Sequence, residues 1–413
     1  MDKLQKLLQL SQKFLMVKNQ KYRRYFIKTT TLTERLSILI GQRGVGKTTL
    51  LVQYLLDHVD GDVLSPKILY VPSDHLALAE TSLYLIAEEF EMNGGEFIAF
   101  DEIHKVSQWS AELKSIYDSF PKLKIIASGS SALEIHRGSH DLSRRSIIYR
   151  IPGLSFREYL EMTLQIQLPT LKFEDLLQNH QKYCYDIISK LEEIQATKVL
   201  PLFRKYLSCG YYPYYFELND DLKFEMTIEQ NVHTTIEADL VSIHPHLSGV
   251  SIKKIRHLLT FIAQNVPYTP NWLNLKKILE IGDERTLKTY FTLLEEAELL
   301  IPLYKSSEKL DSFEHPAKIY LQNTNLCHVI AKGYENIGTI RETFLLNMFY
   351  RTHHITLPIN GDFLIDKKIV LEVGGANKSS KQIREHQMAF IIQDNLEVGI
   401  GNKIALWIFG FLY

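Results

Sequence analysis

Gly41-Gln42-Arg43-Gly44-Val45-Gly46-Lys47-Thr48-Thr49 lies between an apolar run, Leu36-Ser37-Ile38-Leu39-Ile40, and a helical pattern, Leu50-Leu51-Val52-Gln53-Tyr54-Leu55-Leu56. The stretch has the form G-x-x-x-x-G-K-S/T, and strand, glycine loop and helix in that order form the context in which such a loop wraps a polyphosphate. Backbone N–H groups must turn inward around the phosphates, which residues without a Cβ permit. The spacing places Lys47 in reach of the terminal phosphates and the Thr48 hydroxyl on Mg2+, while the following helix adds its positive end. Residues 41–49 are therefore the expected binding site for ATP with Mg2+, on an α/β fold.

A second apolar run ends in two acids, Glu96-Phe97-Ile98-Ala99-Phe100-Asp101-Glu102. Buried parallel strands read this way, and ligands of an open α/β sheet lie at the carboxyl ends of its strands. Asp101 is placed to hold the Mg2+ shell through water, and Glu102 to orient and polarise the water that attacks the γ-phosphate. An acidic pair after a strand also suits the charge preference of a helix start. The phosphate loop upstream selects the catalytic reading.

The next strand, Leu123-Lys124-Ile125-Ile126-Ala127, runs into Ser128-Gly129-Ser130-Ser131. Asp141-Leu142-Ser143-Arg144-Arg145 then precedes Leu154-Ser155-Phe156-Arg157-Glu158-Tyr159. This order of motifs resembles a prokaryotic family of AAA-type ATPases. The likeness continues through Tyr206-Leu207-Ser208-Cys209-Gly210-Tyr211-Tyr212-Pro213, close to the family's Tyr-Leu-x-x-Gly-Gly-aromatic-Pro, and so spans nearly the whole chain. It implies that Ser128 is a polar sensor on the strand beside the Walker B strand, and that Arg145 is the arginine of a Leu-Ser-x-Arg element. A small residue often stands where this chain has Arg144, so either arginine is a candidate to face the phosphate of a neighbouring subunit. The alternative for both is a solvated helix face.

A chain of 413 residues exceeds what one hydrophobic core serves, which predicts several domains. A net charge of −1 gives no whole-molecule case for nucleic-acid binding. The charge is uneven, though: Lys13, Lys18, Lys21, Arg23, Arg24 and Lys28 crowd the first 30 residues with no acid between Lys3 and Thr33, an arm that could meet phosphates or form a solvated face. Cys184, Cys209 and Cys327 lack metal-ligand spacing and point to a reducing compartment. Without a signal-peptide pattern or a run of about 20 apolar residues, a cytoplasmic protein with no membrane contact is expected.

The expected divisions are a basic helical arm over 1–30, a P-loop ATPase core over 31–158, a helical lid over 159–246, a winged helix over 247–320, and a restriction-endonuclease-like α/β domain over 321–413. The lid carries an aromatic cluster, Tyr211, Tyr212, Tyr214, Tyr215 and Phe216, suited either to stacking on bases or to core packing around Pro213. In the winged helix, a first helix opens at Ile252, a second covers Leu275–Leu279, and a third runs from Glu284 to Glu298 before a strand over 299–304. Arg285, Thr286 and Lys288, supported by Lys276 and Lys277, would meet DNA from the start of that third helix. Winged helices also bind proteins, and Glu295, Glu296 and Glu298 weaken the DNA case. Farther on, Asp362 and Glu372, with Glu342 in a preceding helix, resemble the PD-(D/E)XK nuclease core. Active members pair these acids with a metal and a lysine two residues after the Glu; here Gly374 takes that place, Lys378 is the substitute, and a vestigial site is expected. Together these features predict an oligomeric, DNA-binding ATPase, or else a nucleotide-gated switch with a protein partner.

Overall fold

The computed structural model describes residues 3–78, 81–106, 108–129, 142, 144–194, 198–244, 246–306, 315–375 and 388–413. It consists of two compact units, Met1–Gly153 and Leu154–Tyr413.

The first unit is built on β1 (Leu36–Ile40), β2 (Ile68–Pro72), β3 (Phe97–Asp101), β4 (Lys124–Gly129) and β5 (Ile147–Arg150). All pairings are parallel, and the order is β2-β3-β4-β1-β5. Every residue of β1 and β2 is buried, which is why these strands read as continuous apolar runs rather than alternating ones. The helices are α1 (Lys3–Lys18), α2 (Tyr25–Thr29), α3 (Lys47–Asp57), α4 (Leu83–Met92) and α5 (Trp109–Ser119). Leu4 and Leu7 of α1 join the same core as Leu69, Val71 and Phe90. Ser11 Oγ of α1 accepts the backbone N–H of Tyr70 at 2.9 Å, so the edge strand β2 is covered rather than left as an open template. The stretch expected as a basic arm is thus part of the packed unit.

Strand β4 lies between β1, which feeds the phosphate loop, and β3, which ends in Asp101. Register pairs Leu39 with Ser128 and Phe100 with Ala127, which brings the Ser128 hydroxyl to the level of the two acids.

The second unit opens on α6 (Phe156–Leu164), whose start is a reciprocal capping box between Ser155 and Glu158. It continues with α7 (Phe173–Glu193), α8 (Val199–Cys209) and α9 (Asp221–Thr234). Tyr211 and Tyr212 are buried, and the Tyr212 hydroxyl accepts from Asn323 Nδ2 at 3.0 Å, so these two serve core packing; Tyr214, Tyr215 and Phe216 are half-buried. Three helices follow, α10 (Gly249–Gln264), α11 (Trp272–Ile278) and α12 (Glu284–Glu296), and then the antiparallel pair β6 (Leu300–Leu303) and β7 (Lys318–Leu321). Leu287, Tyr290, Leu293 and Leu294 form the buried stripe of α12 at helical spacing. The acids at its end are not all solvent-facing: Glu298 is buried and paired with Arg351 at 2.6 Å, and burial pushes the Glu295 carboxyl up to about 7.

Helix α13 (Ile337–Phe349) precedes the last sheet, formed by β8 (Ile355–Thr356), β9 (Phe363–Ile365), β10 (Ile369–Gly374), β11 (Ala389–Gln393) and β12 (Lys403–Ala405) in the order β12-β11-β10-β9-β8. Its first three strands are antiparallel, while β10, β11 and β12 run parallel.

Candidate active site

The phosphate loop bends where glycine is required. Gly46 has φ 96° and precedes α3, and a Cβ on Gly41 would stand 2.5 Å from the backbone oxygen of Ile151. Gln42 and Val45 are buried, and Arg43, Gly44, Thr48 and Thr49 are half-buried. Lys47 is buried, and its ammonium donates to the carbonyls of Gly41 and Gln42, at 2.9 Å each. The cation is therefore held over the loop it serves.

Asp101 collects three hydroxyl donors. Thr48 Oγ1 and Tyr70 OH reach Oδ2 at 2.7 and 2.5 Å, and Ser128 Oγ donates to Oδ1. Burial, followed by the charge of Asp101, raises the Tyr70 phenol well above its ordinary range, so that proton stays on the tyrosine. Ser128 Oγ also accepts the backbone N–H of Glu102 at 3.2 Å and so connects both acids. Tyr70 and this second role of Ser128 were not read from the sequence; a lone tyrosine in an apolar strand carries no chemical signature.

Glu102 leaves the strand in the left-handed conformation, φ 52° and ψ 41°, which a non-glycine residue adopts at a cost of about 1 kcal/mol or more. Its Oε2 is buried without a hydrogen-bond partner, and His104 Nε2 lies 3.5 Å away. Ser73 Oγ, which follows β2, is likewise buried and unpartnered, while the Ser73 N–H donates to the Asp101 carbonyl at 2.9 Å. Two polar atoms with unused capacity beside a hydroxyl-clamped carboxylate and a buried lysine fit a site for nucleotide, Mg2+ and water. Thr48 and Asp101 have the oxygen chemistry for the metal.

The two candidate arginines differ. Arg145 is held by Asp118 of α5 through Nε and Nη2, at 2.9 and 3.0 Å, and this fork keeps the Asp118 carboxyl below the usual range. Arg144 is exposed.

In the second unit, Arg285, Lys277 and Lys288 are exposed, and Thr286 and Lys276 are half-buried. Lys288 pairs with Glu284 at 3.0 Å, and His315 lies 4.0 Å from the same carboxylate, so part of the expected positive face is neutralised internally. Asp362 and Glu372 do not stand alone. Asp362 Oδ2 accepts the N–H of Val373 at 2.8 Å, and Glu372 is buried on β10. Lys318 of β7 lies 3.6 Å from Glu342 Oε2 and 3.9 Å from Asp362 Oδ1. Tyr320, two residues on and therefore on the same face of β7, donates to Glu342 at 2.6 Å. Burial, and then the Asp362 charge, raises the Glu342 carboxyl. Lys378 lies outside the described residues. Among the described residues no three His, Cys, Asp or Glu side chains gather so as to hold a metal ion.

Sheet order, phosphate loop and clamped acid together define an AAA-type P-loop ATPase domain, and residues 33–160 match the AAA domain family. The chain is 30% identical to the uncharacterized protein MJ1637 of Methanocaldococcus jannaschii over 420 residues, 92% of this chain and 85% of the relative, and it belongs to that family. Residues 200–335 match a domain of unknown function, DUF8612. Among solved structures, the Walker-type ATPase PABY2304 of Pyrococcus abyssi is similar at a TM-score of 0.40 and 13% identity, over 74% of this chain and 93% of that one. AMPPCP-bound DnaA from Aquifex aeolicus is similar at 0.26 and 14%, over 66% and 85%.

Tyr70→Phe removes one donor from a buried carboxylate and leaves the ring packing in place. A loss of about 1.5–3 kcal/mol is expected, measured by urea denaturation. An unchanged midpoint would show that the Tyr70 hydroxyl does not support Asp101.

Proposed function

We propose that the protein is a Mg2+-dependent ATPase in which Glu102 is the general base. The observation that carries this reading is the buried Oε2 of Glu102, which accepts no hydrogen bond and has His104 Nε2 at 3.5 Å, one residue beyond a carboxylate whose own oxygens are already engaged. Lys47 and the loop amides bind the β- and γ-phosphates, and Thr48 and Asp101 hold Mg2+, which when bound supplies charge neutralisation at the phosphates. Ser128 keeps the two acids in fixed relation.

Binding and chemistry should then separate. Lys47→Ala is expected to lose nucleotide affinity, whereas Glu102→Gln should bind ATP and turn it over slowly, because the groups removed act in the ground state and in the transition state respectively. Isothermal titration with ATP and a phosphate-release assay measure the two effects. Wild-type turnover in both variants would refute the assignment.

For a trans-acting arginine the exposed Arg144 is the better candidate, since Arg145 is engaged by Asp118 in its own subunit. On this reading the ATPase works as a homo-oligomer in the cytoplasm; no described helix is long and apolar enough to cross a membrane. Arg144→Ala should lower turnover by about 10³-fold, the range for an arginine finger, and Arg145→Ala should do much less. Mixing Arg144→Ala with Lys47→Ala subunits should restore part of the rate; no restoration would place the arginine in cis or outside the chemistry.

The second unit is proposed to bind DNA, with a winged helix over α10 to β7 and a nuclease-like sheet that does not cut. The supporting features are the exposed Arg285 and Lys277, and Lys318, which cancels charge on two of the acids a metal would need. Neutralising Arg285 and Lys277 together should reduce the log–log salt slope of duplex binding by about two units. The same duplex should stay intact with Mg2+ or Mn2+. Salt-insensitive or absent DNA binding would favour the switch with a protein partner, and cleavage lost in Glu372→Ala would overturn the vestigial reading.

A further inference from the structure

The basic residues ahead of the phosphate loop have two uses on sequence grounds, a solvated face or contact with phosphates. Arg24 has neither. It is buried, and its guanidinium donates through Nη1 to the carbonyls of Val45 and Pro152, at 2.8 Å each, and through Nη2 to that of Gly153 at 2.7 Å. A planar fork with five N–H groups can hold several carbonyls at once, which a lysine ammonium cannot do in the same geometry. The segment carrying Arg24 is tied down on α3 as well. Gln53 Nε2 donates to the carbonyls of Gln20 and Tyr22 at 2.9 and 2.8 Å, and Arg23 pairs with Asp57.

The consequence lies in the peptide that joins Val45 to Gly46. In a trans peptide the C=O and the following N–H point in opposite directions. Holding the Val45 carbonyl on Arg24 therefore turns the Gly46 N–H to the opposite side of that plane, and Gly46 stands at the start of α3, where amides cradle an anion. We infer that Arg24 is a positioning residue of the nucleotide site: it orients the Gly46 amide toward a β-phosphate and links the loop to Pro152 and Gly153. The ligand class is a nucleoside di- or triphosphate, and the inference rests on the nucleotide reading above. A second point of contact supports the link, because Gly41 lies so close to the Ile151 carbonyl that no side chain fits there.

The test uses the full chain with Mg·ADP as the probe. Arg24→Ala should raise the Kd for ADP by about tenfold or more, the loss expected for charge-assisted hydrogen bonds, while kcat at saturating ATP stays within about twofold of wild type. Arg24→Lys should recover only part of the affinity. Hydrogen exchange adds a readout that simple destabilisation does not move: ADP should protect peptides over both 43–48 and 150–153 in wild type, but only the first in the variants. Wild-type ADP affinity in Arg24→Ala, with a lowered melting temperature alone, would overturn the inference. Should that variant not fold, wild-type affinity in Arg24→Lys would do the same. A wild-type protein that binds neither ADP nor ATP would instead refute the nucleotide reading, and this assignment with it.

Discussion

The cost of burying the Asp101 carboxylate is offset by hydrogen bonds. The donors come from three places far apart in the chain: Thr48 at the start of α3, Tyr70 on β2 and Ser128 on β4. No local arrangement could supply them. The parallel sheet does so by laying β4 between β1 and β3 and β2 on the far side of β3, with each strand ending at the same edge. The clamp and the sheet order are therefore one constraint. Ser128 extends it to Glu102, whose left-handed backbone is held in place by the structure around it.

The second unit meets the same demand with different partners. Glu342 is met by Tyr320 and by the ammonium of Lys318, which also approaches Asp362, and Glu298 pairs through Oε1 with Arg351. Neutral hydroxyls stabilise a buried acid and leave its negative charge available to a metal–phosphate complex. A lysine cancels that charge. This contrast is the physical reason to seek chemistry at Asp101 rather than among the acids of the last sheet.

Strands β1, β3 and β4 and helix α3 of the first unit were legible because each carries a strong local signal, whereas β2, β5, α4 and α5 were not read. Buried parallel strands must be continuously apolar, and the glycine loop needs its backbone freedom. Helix α12 of the second unit was legible from the spacing of Leu287, Tyr290, Leu293 and Leu294. Less legible was the start of the chain. Its lysines and arginines suggested a solvated arm, whereas the apolar face of α1 packs on β2 and Arg24 is buried on backbone carbonyls. Charge composition reports the residue type and not the partner, so a cation that serves three carbonyls looks like one facing water.

The sequence by itself located the glycine loop that is the candidate polyphosphate site, the acids that end a nearby strand, and the α/β sheet to which both belong; fixed spacing along a short segment is enough for that. Only the tertiary structure decided which of Arg144 and Arg145 is held by Asp118, that Tyr70 supports Asp101, that Lys318 meets Glu342 and Asp362, and that Arg24 backs the glycine loop. Each of these is a contact between segments distant in the chain. Hydrogen bonds and ion pairs depend on positions in space to within a few tenths of an ångström, and nothing in the order of residues along a chain encodes those distances until the chain has folded.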